Sequence, residues 1–254
     1  MIGLETGLHI FGQTPLVDSG VVTAVFDGDT VQVKFSDGES RRVRLIGVDA
    51  PEIGDPREDI ALWAHLAKRF AFFHLYRKTV SLSYDLTSTD KYGRVLAYVH
   101  TGGGEIFNEF IIRSGFAFAY LEFPFRSDYQ ERFSRAQEEA RKEERGLWLK
   151  GEPEVIAAIQ TRAHLGRLVS VRFICSAVAD KGSMTYFRSS GGDFEAVIPR
   201  DRRRQFPDAA SVEDRVLIVT GFLEAYAGRP QIMLFFARQL KVIPDSHHLS
   251  FPLS

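Results

Sequence analysis

The sequence predicts a mainly β protein with helices inserted, folded as two small barrels in series. Three observations carry this. Short β-branched and aromatic runs, separated by tight-turn dipeptides, dominate residues 21–100. Two stretches with apolar residues at helical spacing interrupt and follow them. After about residue 161 the pattern changes to almost pure β, with five strand-like runs in about 80 residues.

The elements follow in order. VVTAVF (21–26) and VQVKF (31–35) read as strands around the DGDT turn. A second turn at Asp37-Gly38 leads into RRVRLIG, a third strand. From about Glu58 to Arg77 the chain has no Gly or Pro, and Trp63, Leu66, Ala67, Phe70 and Phe73 make a broad apolar helix face. TVSLSY (79–84) alternates as a strand, the polar loop DLTSTDKYGR follows, and VLAYVH (95–100) is the fifth strand. FNEFIIRSG predicts a short helix stopped by Gly115. Ser127 to Arg145 predicts a charged helix with Phe133, Ala136 and Ala140 on its inner face, stopped and anchored by Gly146, Leu147 and Trp148. So many hairpin-linked strands favour an antiparallel barrel over a mixed sheet. GEPEVIAAIQ (151–160) reads as a linker or short helix. GRLVSVRFICSAVA, MTYFRS, DFEAVIP, RVLIVTGFLEAY and QIMLFFARQLKVI then suit a second barrel of the OB type. The domain reading is therefore an extension over 1–19, a first domain over 20–149, a linker over 150–161, a second domain over 162–243 and a tail over 244–254. His247-His248 in that tail is an adjacent pair without a third ligand.

Composition sets the outer bounds. The 254 residues are 44% apolar and 26% charged, enough for real cores. Net charge is −1, but Arg162–Lys241 carries 13 basic and 8 acidic side chains, a balance of +5 that leaves −6 for the remainder. Such asymmetry fits metal and phosphate chemistry in one part and polyanion contact in another. Cys175 is the single cysteine, which excludes an internal disulfide and a cysteine metal cluster. No run approaches the roughly 18 apolar residues of a membrane helix. The first residues carry Glu5 and no basic n-region, so the expectation is a cytoplasmic protein without a membrane partner; a trimmed start would hide an export signal.

The chemistry gathers around RLIGVDAPE (44–52). Asp29, Asp49 and Glu52 are acids at strand ends that a barrel can bring to one rim. Hard oxygen donors of this kind suit Ca²⁺ or Mg²⁺ rather than zinc. Clustered without a cation, they would repel one another and at least one pKa would rise. Arg44 and Arg94 can flank the same site, and a guanidinium grips a phosphate through two parallel hydrogen bonds. A metal, two arginines and a spare carboxylate make a set suited to attack of water on a phosphodiester.

In VVTAVFDGDTVQV, VRLIGVDAPE, DKYGRVLAYV, FNEFIIRSGFA and AQEEARKEERGLW, in that order, residues 20–148 resemble the staphylococcal nuclease (thermonuclease) family. The resemblance implies a five-stranded OB barrel with three helices and a Ca²⁺-dependent nuclease acting on DNA or RNA. It implies Asp29 and Asp49 as direct calcium ligands, Thr30 supporting the metal site, and the backbone carbonyl of Ala50 as a further ligand. The founding member has Thr at that last position, a difference a backbone ligand tolerates. Glu52 would be the general base or orient the attacking water, and Arg44 and Arg94 would clamp the phosphate. Tyr92 and Tyr120 would contact the nucleotide, and Asp27 and Asp90 would support the turns. The bond broken would be P–O5′, leaving a 3′-phosphate and a 5′-hydroxyl.

The second domain resembles, more loosely, a C-terminal OB-like domain of some bacterial thermonuclease-like proteins, through FEAVIPRDRRRQF and VLIVTGFLEAYAGRPQIML. Arg200, Arg202, Arg203 and Arg204 supply a basic run, and Tyr186, Phe187, Phe194 and Phe206 supply rings, the pairing by which OB barrels hold single strands. The competing role for this domain is contact with a protein partner. The competing reading of the whole chain is a non-catalytic nucleic-acid or protein-binding module of the Tudor-staphylococcal-nuclease type. Those repeats generally lack the complete set of Asp29, Arg44, Asp49, Glu52 and Arg94.

Overall fold

The computed structural model describes residues 18–208 and 211–244, so Glu5 and His247-His248 lie outside the described residues. The first half runs β1 (Asp18–Val25), β2 (Thr30–Phe35), β3 (Ser40–Leu45), a two-residue β4 (Val48–Asp49), α1 (Glu58–Leu75), β5 (Thr79–Ser83), β6 (Val95–His100), α2 (Phe107–Arg113), a two-residue β7 (Phe118–Ala119) and α3 (Ser127–Lys142). Five of these strands close a barrel in the order β1-β2-β3-β6-β5. Alternate side chains point inward along each strand, and Val22, Val31, Val33, Val43, Leu45, Val80, Leu82, Ala97 and Val99 fill the interior. The antiparallel expectation holds for every barrel pair except β3–β6, which is parallel. The reason is the connection: α1 and β5 lie between β3 and β6, which gives the crossover that a parallel pair needs. α1 stops two residues short of the predicted end because Arg77 takes a left-handed φ of +59°. From there its N–H donates to the Val22 carbonyl at 2.8 Å.

The parallel pair ends beside the region of interest, and a buried amide pins it there. Asn108 of α2 donates to the Ile46 carbonyl at 2.9 Å and to the Ala97 carbonyl at 3.1 Å, and accepts the Val99 N–H at 2.9 Å. Gly47 then turns the chain at φ +69°, where any Cβ would strike the rings of Phe125 and Phe133 at 2.8 Å.

The second half is a larger barrel than a simple five-stranded one. Its seven-stranded sheet comprises β8 (Val155–Ala157), β9 (Leu168–Lys181), β10 (Met184–Ser189), β11 (Glu195–Pro199), β12 (Val216–Tyr226), β13 (Arg229–Met233) and β14 (Leu240–Ile243). Two features account for the difference from the five predicted runs. Residues 155–157, in the expected linker, pair in parallel with β9. The run QIMLFFARQLKVI is divided into β13 and β14 by a short turn, where Gln239 Oε1 accepts the N–H groups of Phe235 (2.7 Å) and Phe236 (3.1 Å). Because β12 also pairs with β9, the ring β9-β10-β11-β13-β12 closes and repeats the order of the first barrel, parallel pair included.

The two barrels share α1. Its Ala64, Ala67 and Ala71 are fully buried. Phe70 and Phe73 each meet Phe222 of β12 at 5.7 Å, and His65 stacks on Phe235 at 3.9 Å. Arg69 donates from Nε to the buried Glu224 at 3.0 Å, and Gln231 satisfies the other Glu224 oxygen at 2.9 Å.

Replacing Asn108 by Ala takes the Asn108 partner from the Val99 N–H and the Ile46 carbonyl at the end of the β3–β6 ladder, while the Ala97 carbonyl keeps the Ile46 N–H. At roughly 1–3 kcal/mol per buried group left unpaired, the substitution is expected to cost on the order of 3 kcal/mol in urea unfolding. A loss under about 0.5 kcal/mol, the range of surface substitutions, would contradict this role.

Candidate functional site

Arg44 and Thr30 face each other across the β2–β3 ladder, so the turn before β2 and the end of β3 meet at one rim. Asp29 in that turn is 4% exposed. Its Oδ1 accepts the Thr30 hydroxyl at 3.0 Å and pairs with Nη1 of Arg44; its Oδ2 accepts the Ala50 N–H at 2.8 Å. The Arg44 side chain is 19% exposed, and its Nη2 also lies 3.6 Å from Asp49 Oδ1. One guanidinium thus stands between two carboxylates. Burial and the nearby Arg94 charge hold the Arg44 pKa below its ordinary value, against Asp27, Asp49 and Glu52. Burial pushes the Asp27 carboxyl up, with partial relief from Thr30, Arg44 and Arg94.

Close packing makes this arrangement possible. A Cβ on Gly28 would lie 2.7 Å from the Ala50 Cβ and 2.8 Å from the Ala67 Cβ. Three small residues therefore let the DGDT turn, the segment after β4 and α1 touch. Ala50 contributes its N–H to Asp29 here.

Arg94 stands at the start of β6. Asp90 holds its Nε at 2.7 Å and its backbone N–H at 2.9 Å, and the guanidinium lies 5.5 Å from the Tyr92 ring centre. Glu52 is exposed, and its carboxylate has no hydrogen-bond or ion-pair partner among the described residues. A cleft of about 1300 Å³ opens beside Arg44 and Arg94, lined by these two, Asp49, Tyr92, Tyr120 and Phe123 among others; Asp29 and Glu52 are not among the residues that line it. The Tyr92 side of this cleft is strongly solvent-facing, with the residue 72% exposed. Sequence reasoning passed over Phe123 and Arg126, which also line the cleft. The interleaved LEFPFRS stretch was the available signal. Asp85 ties this wall to the barrel by accepting the Arg126 N–H at 2.9 Å and the Tyr98 hydroxyl at 2.8 Å.

The donors fit a hard cation in kind. Asp29 and Asp49 already share one positive charge, and Asp27 adds a half-buried carboxyl. The described residues contain no group of three or more His, Cys, Asp or Glu arranged to hold a metal, and both Asp29 oxygens are engaged.

In the second barrel the arginine run does not form one free patch. Arg203 donates to the Phe206 and Pro207 carbonyls at 3.1 and 2.6 Å. Arg200 pairs loosely with Asp180 (3.5 Å) and Arg202 with Asp201 (3.8 Å), while Arg204 is exposed. Phe187, Phe194 and Phe206 are core residues, so these rings pack the barrel and are not offered for stacking; Tyr186 is half-buried. An aromatic residue in or beside a strand reads the same in sequence whether it faces the core or a ligand.

Residues 42–150 match the family described as "Staphylococcal nuclease homologue". That segment holds Arg44, Asp49, Glu52 and Arg94, and Asp29 precedes it. The chain is 40% identical over 131 residues to a thermonuclease of Staphylococcus intermedius, covering 52% of this chain and 76% of that protein. It is 40% identical over 127 residues to a thermonuclease of Staphylococcus hyicus (50% and 73%). An uncharacterized endonuclease of Escherichia coli is 33% identical over 134 residues (53% and 79%).

Gly28→Ala forces a methyl between Ala50 and Ala67 and displaces the turn that carries Asp29. Overpacking of this kind costs roughly 1–3 kcal/mol, which thermal or urea unfolding would report. A variant as stable as wild type would show that this contact has room to spare.

Proposed function

The chain belongs to the staphylococcal nuclease family, and on that premise we propose that it hydrolyses phosphodiester bonds of DNA or RNA in the cleft beside Arg44 and Arg94. One observation carries the reading: Arg44 bridges Asp29 and Asp49 at the rim of an aromatic-lined cleft, with Arg94 in its electrostatic field.

The phosphate lies between the two guanidiniums, which neutralise it and stabilise the charge that grows on its oxygens during attack. Asp90 fixes Arg94 through Nε, which leaves the terminal nitrogens for phosphate. Glu52, exposed and unpaired, takes a proton from the attacking water or aims it. The water oxygen bonds to phosphorus, the P–O5′ bond breaks, and the departing oxygen is protonated to the 5′-hydroxyl. Tyr92 and Tyr120 offer faces for the bases. Calcium is the cofactor of this reading; Asp29 and Asp49 would hold it, with the Ala50 backbone, and its charge supports phosphate neutralisation and water activation. A cation on these carboxylates competes with Arg44 for them, so cation binding and release of Arg44 toward phosphate are linked. The basic second barrel adds nucleic-acid contact outside the cleft, through Arg200, Arg202 and Arg204.

The engaged oxygens of Asp29 favour a second reading, a non-catalytic binding module in which Arg44 is a permanent structural counterion. Cleavage of single-stranded DNA, duplex DNA and RNA separates the two. The proposal expects cleavage with Ca²⁺ and none with chelator. Glu52→Gln should lower kcat by about 10²–10⁴-fold, and Arg44→Ala or Arg94→Ala by at least about 10²–10³-fold. Near-native turnover in either arginine variant would refute the clamp. No cleavage of any substrate by folded wild type with Ca²⁺ would favour the binding module.

A further inference from the structure

The cleft and the arginine run lie on different barrels, and α1 passes between them. The DGDT turn rests on Ala67 of this helix. The next residue is Lys68, whose ammonium lies in the field of Asp27. One turn earlier, His65 stacks on Phe235 at 3.9 Å and meets Phe236 at 6.0 Å. The Arg202 guanidinium sits 5.7 Å from the Phe236 ring centre. Lys68, one turn on from His65, and Arg202, over Phe236, thus both lie close to His65. The imidazole registers both: it is pushed down to about 4, first by burial, then by Arg202 and Lys68. α1 thus carries Lys68 beside the residue that packs on the DGDT turn and one turn from the His65 that reaches Phe236 and, through it, Arg202.

We propose that Lys68 and Arg202 bridge the two barrels as a phosphate-binding track for a single nucleic-acid strand longer than the cleft alone can hold. The inference rests on the nucleic-acid reading of the cleft and gives the second barrel its part in it, which is to grip the strand away from the reacting bond. Carboxylates along the route include Asp29 and Asp49 on Arg44, Asp90 on Arg94, Asp27 near Lys68, Asp201 at 3.8 Å from Arg202, and Asp180 at 3.5 Å from Arg200. Asp180 and Asp201 are exposed and water-screened, so these pairs are weak and a phosphate displaces them readily. The cleft is lined by Tyr92, Tyr120 and Phe123, whose ring faces suit unstacked bases and therefore a single strand.

The test is fluorescence anisotropy with the full chain in chelator, using labelled single-stranded DNA of about 5 and about 20 nucleotides, lengths that bracket the span of one barrel. Wild type should bind the longer strand at least tenfold more tightly. Lys68→Gln and Arg202→Gln should each weaken the longer strand several-fold more than the shorter. Each should also lower the magnitude of the salt slope, by about 0.7 for every phosphate no longer neutralised. Lys68→Arg and Arg202→Lys, which keep the charge, should retain most of the length gain; this separates removal of the charge from misfolding. Equal affinity for both lengths in wild type, or equal losses on both in the Gln variants, would overturn the track. Failure of the catalytic reading looks different: no Ca²⁺-dependent cleavage, with length- and charge-dependent binding intact.

Discussion

A carboxylate almost wholly withdrawn from water must find donors within the protein, and Asp29 draws its donors from three separate segments. Thr30 gives a hydroxyl from the start of β2, Arg44 a guanidinium from β3, and Ala50 a backbone N–H from beyond β4. Removing one partner of such a buried pair typically costs about 3–5 kcal/mol, since the other is left as an uncompensated charge. The hairpin turn, the third strand and the acidic loop therefore hold one another in register. Gly28, Ala50 and Ala67 let them approach closely enough for these bonds to form.

The same strand order appears in the closed ring of both barrels, each ring with one parallel pair after a crossover, and β8 adds a further parallel pair to the second. In the first, the parallel pair ends at the candidate site and is tied off by Asn108. In the second, the β12–β13 face lies under α1, with Glu224, Gln231 and Phe235 buried against it. One helix thereby backs the DGDT turn on one side and seats the second barrel on the other. This is why charge on α1 can matter to both.

Much of this was legible from sequence because the strands are local. VLAYVH is read at its observed limits; of Asp29, Asp49 and Glu52, expected at one rim with Arg44 and Arg94 beside them, Asp29 and Asp49 meet at Arg44, while Glu52 has no ion pair there. What was not legible depends on long-range pairing. The parallel β3–β6 pair and the parallel docking of 155–157 on β9 join segments that no local pattern connects. Phe187, Phe194 and Phe206 stand near a basic run as stacking rings would, yet they are buried in the core. Arg203 sits in a basic run, yet its guanidinium closes its own turn through two carbonyls.

The central claim is that Arg44 is shared between the carboxylates and the substrate phosphate. If so, a cation on the carboxylates and a phosphate on Arg44 must strengthen each other by the same factor. Isothermal titration of Ca²⁺ with and without a nucleoside bisphosphate, on wild type and on Arg44→Gln, measures that coupling directly. The account predicts Ca²⁺ affinity raised about 5–150-fold by the nucleotide in wild type, with most of the gain absent in the variant. Identical Ca²⁺ affinity with and without nucleotide would contradict it.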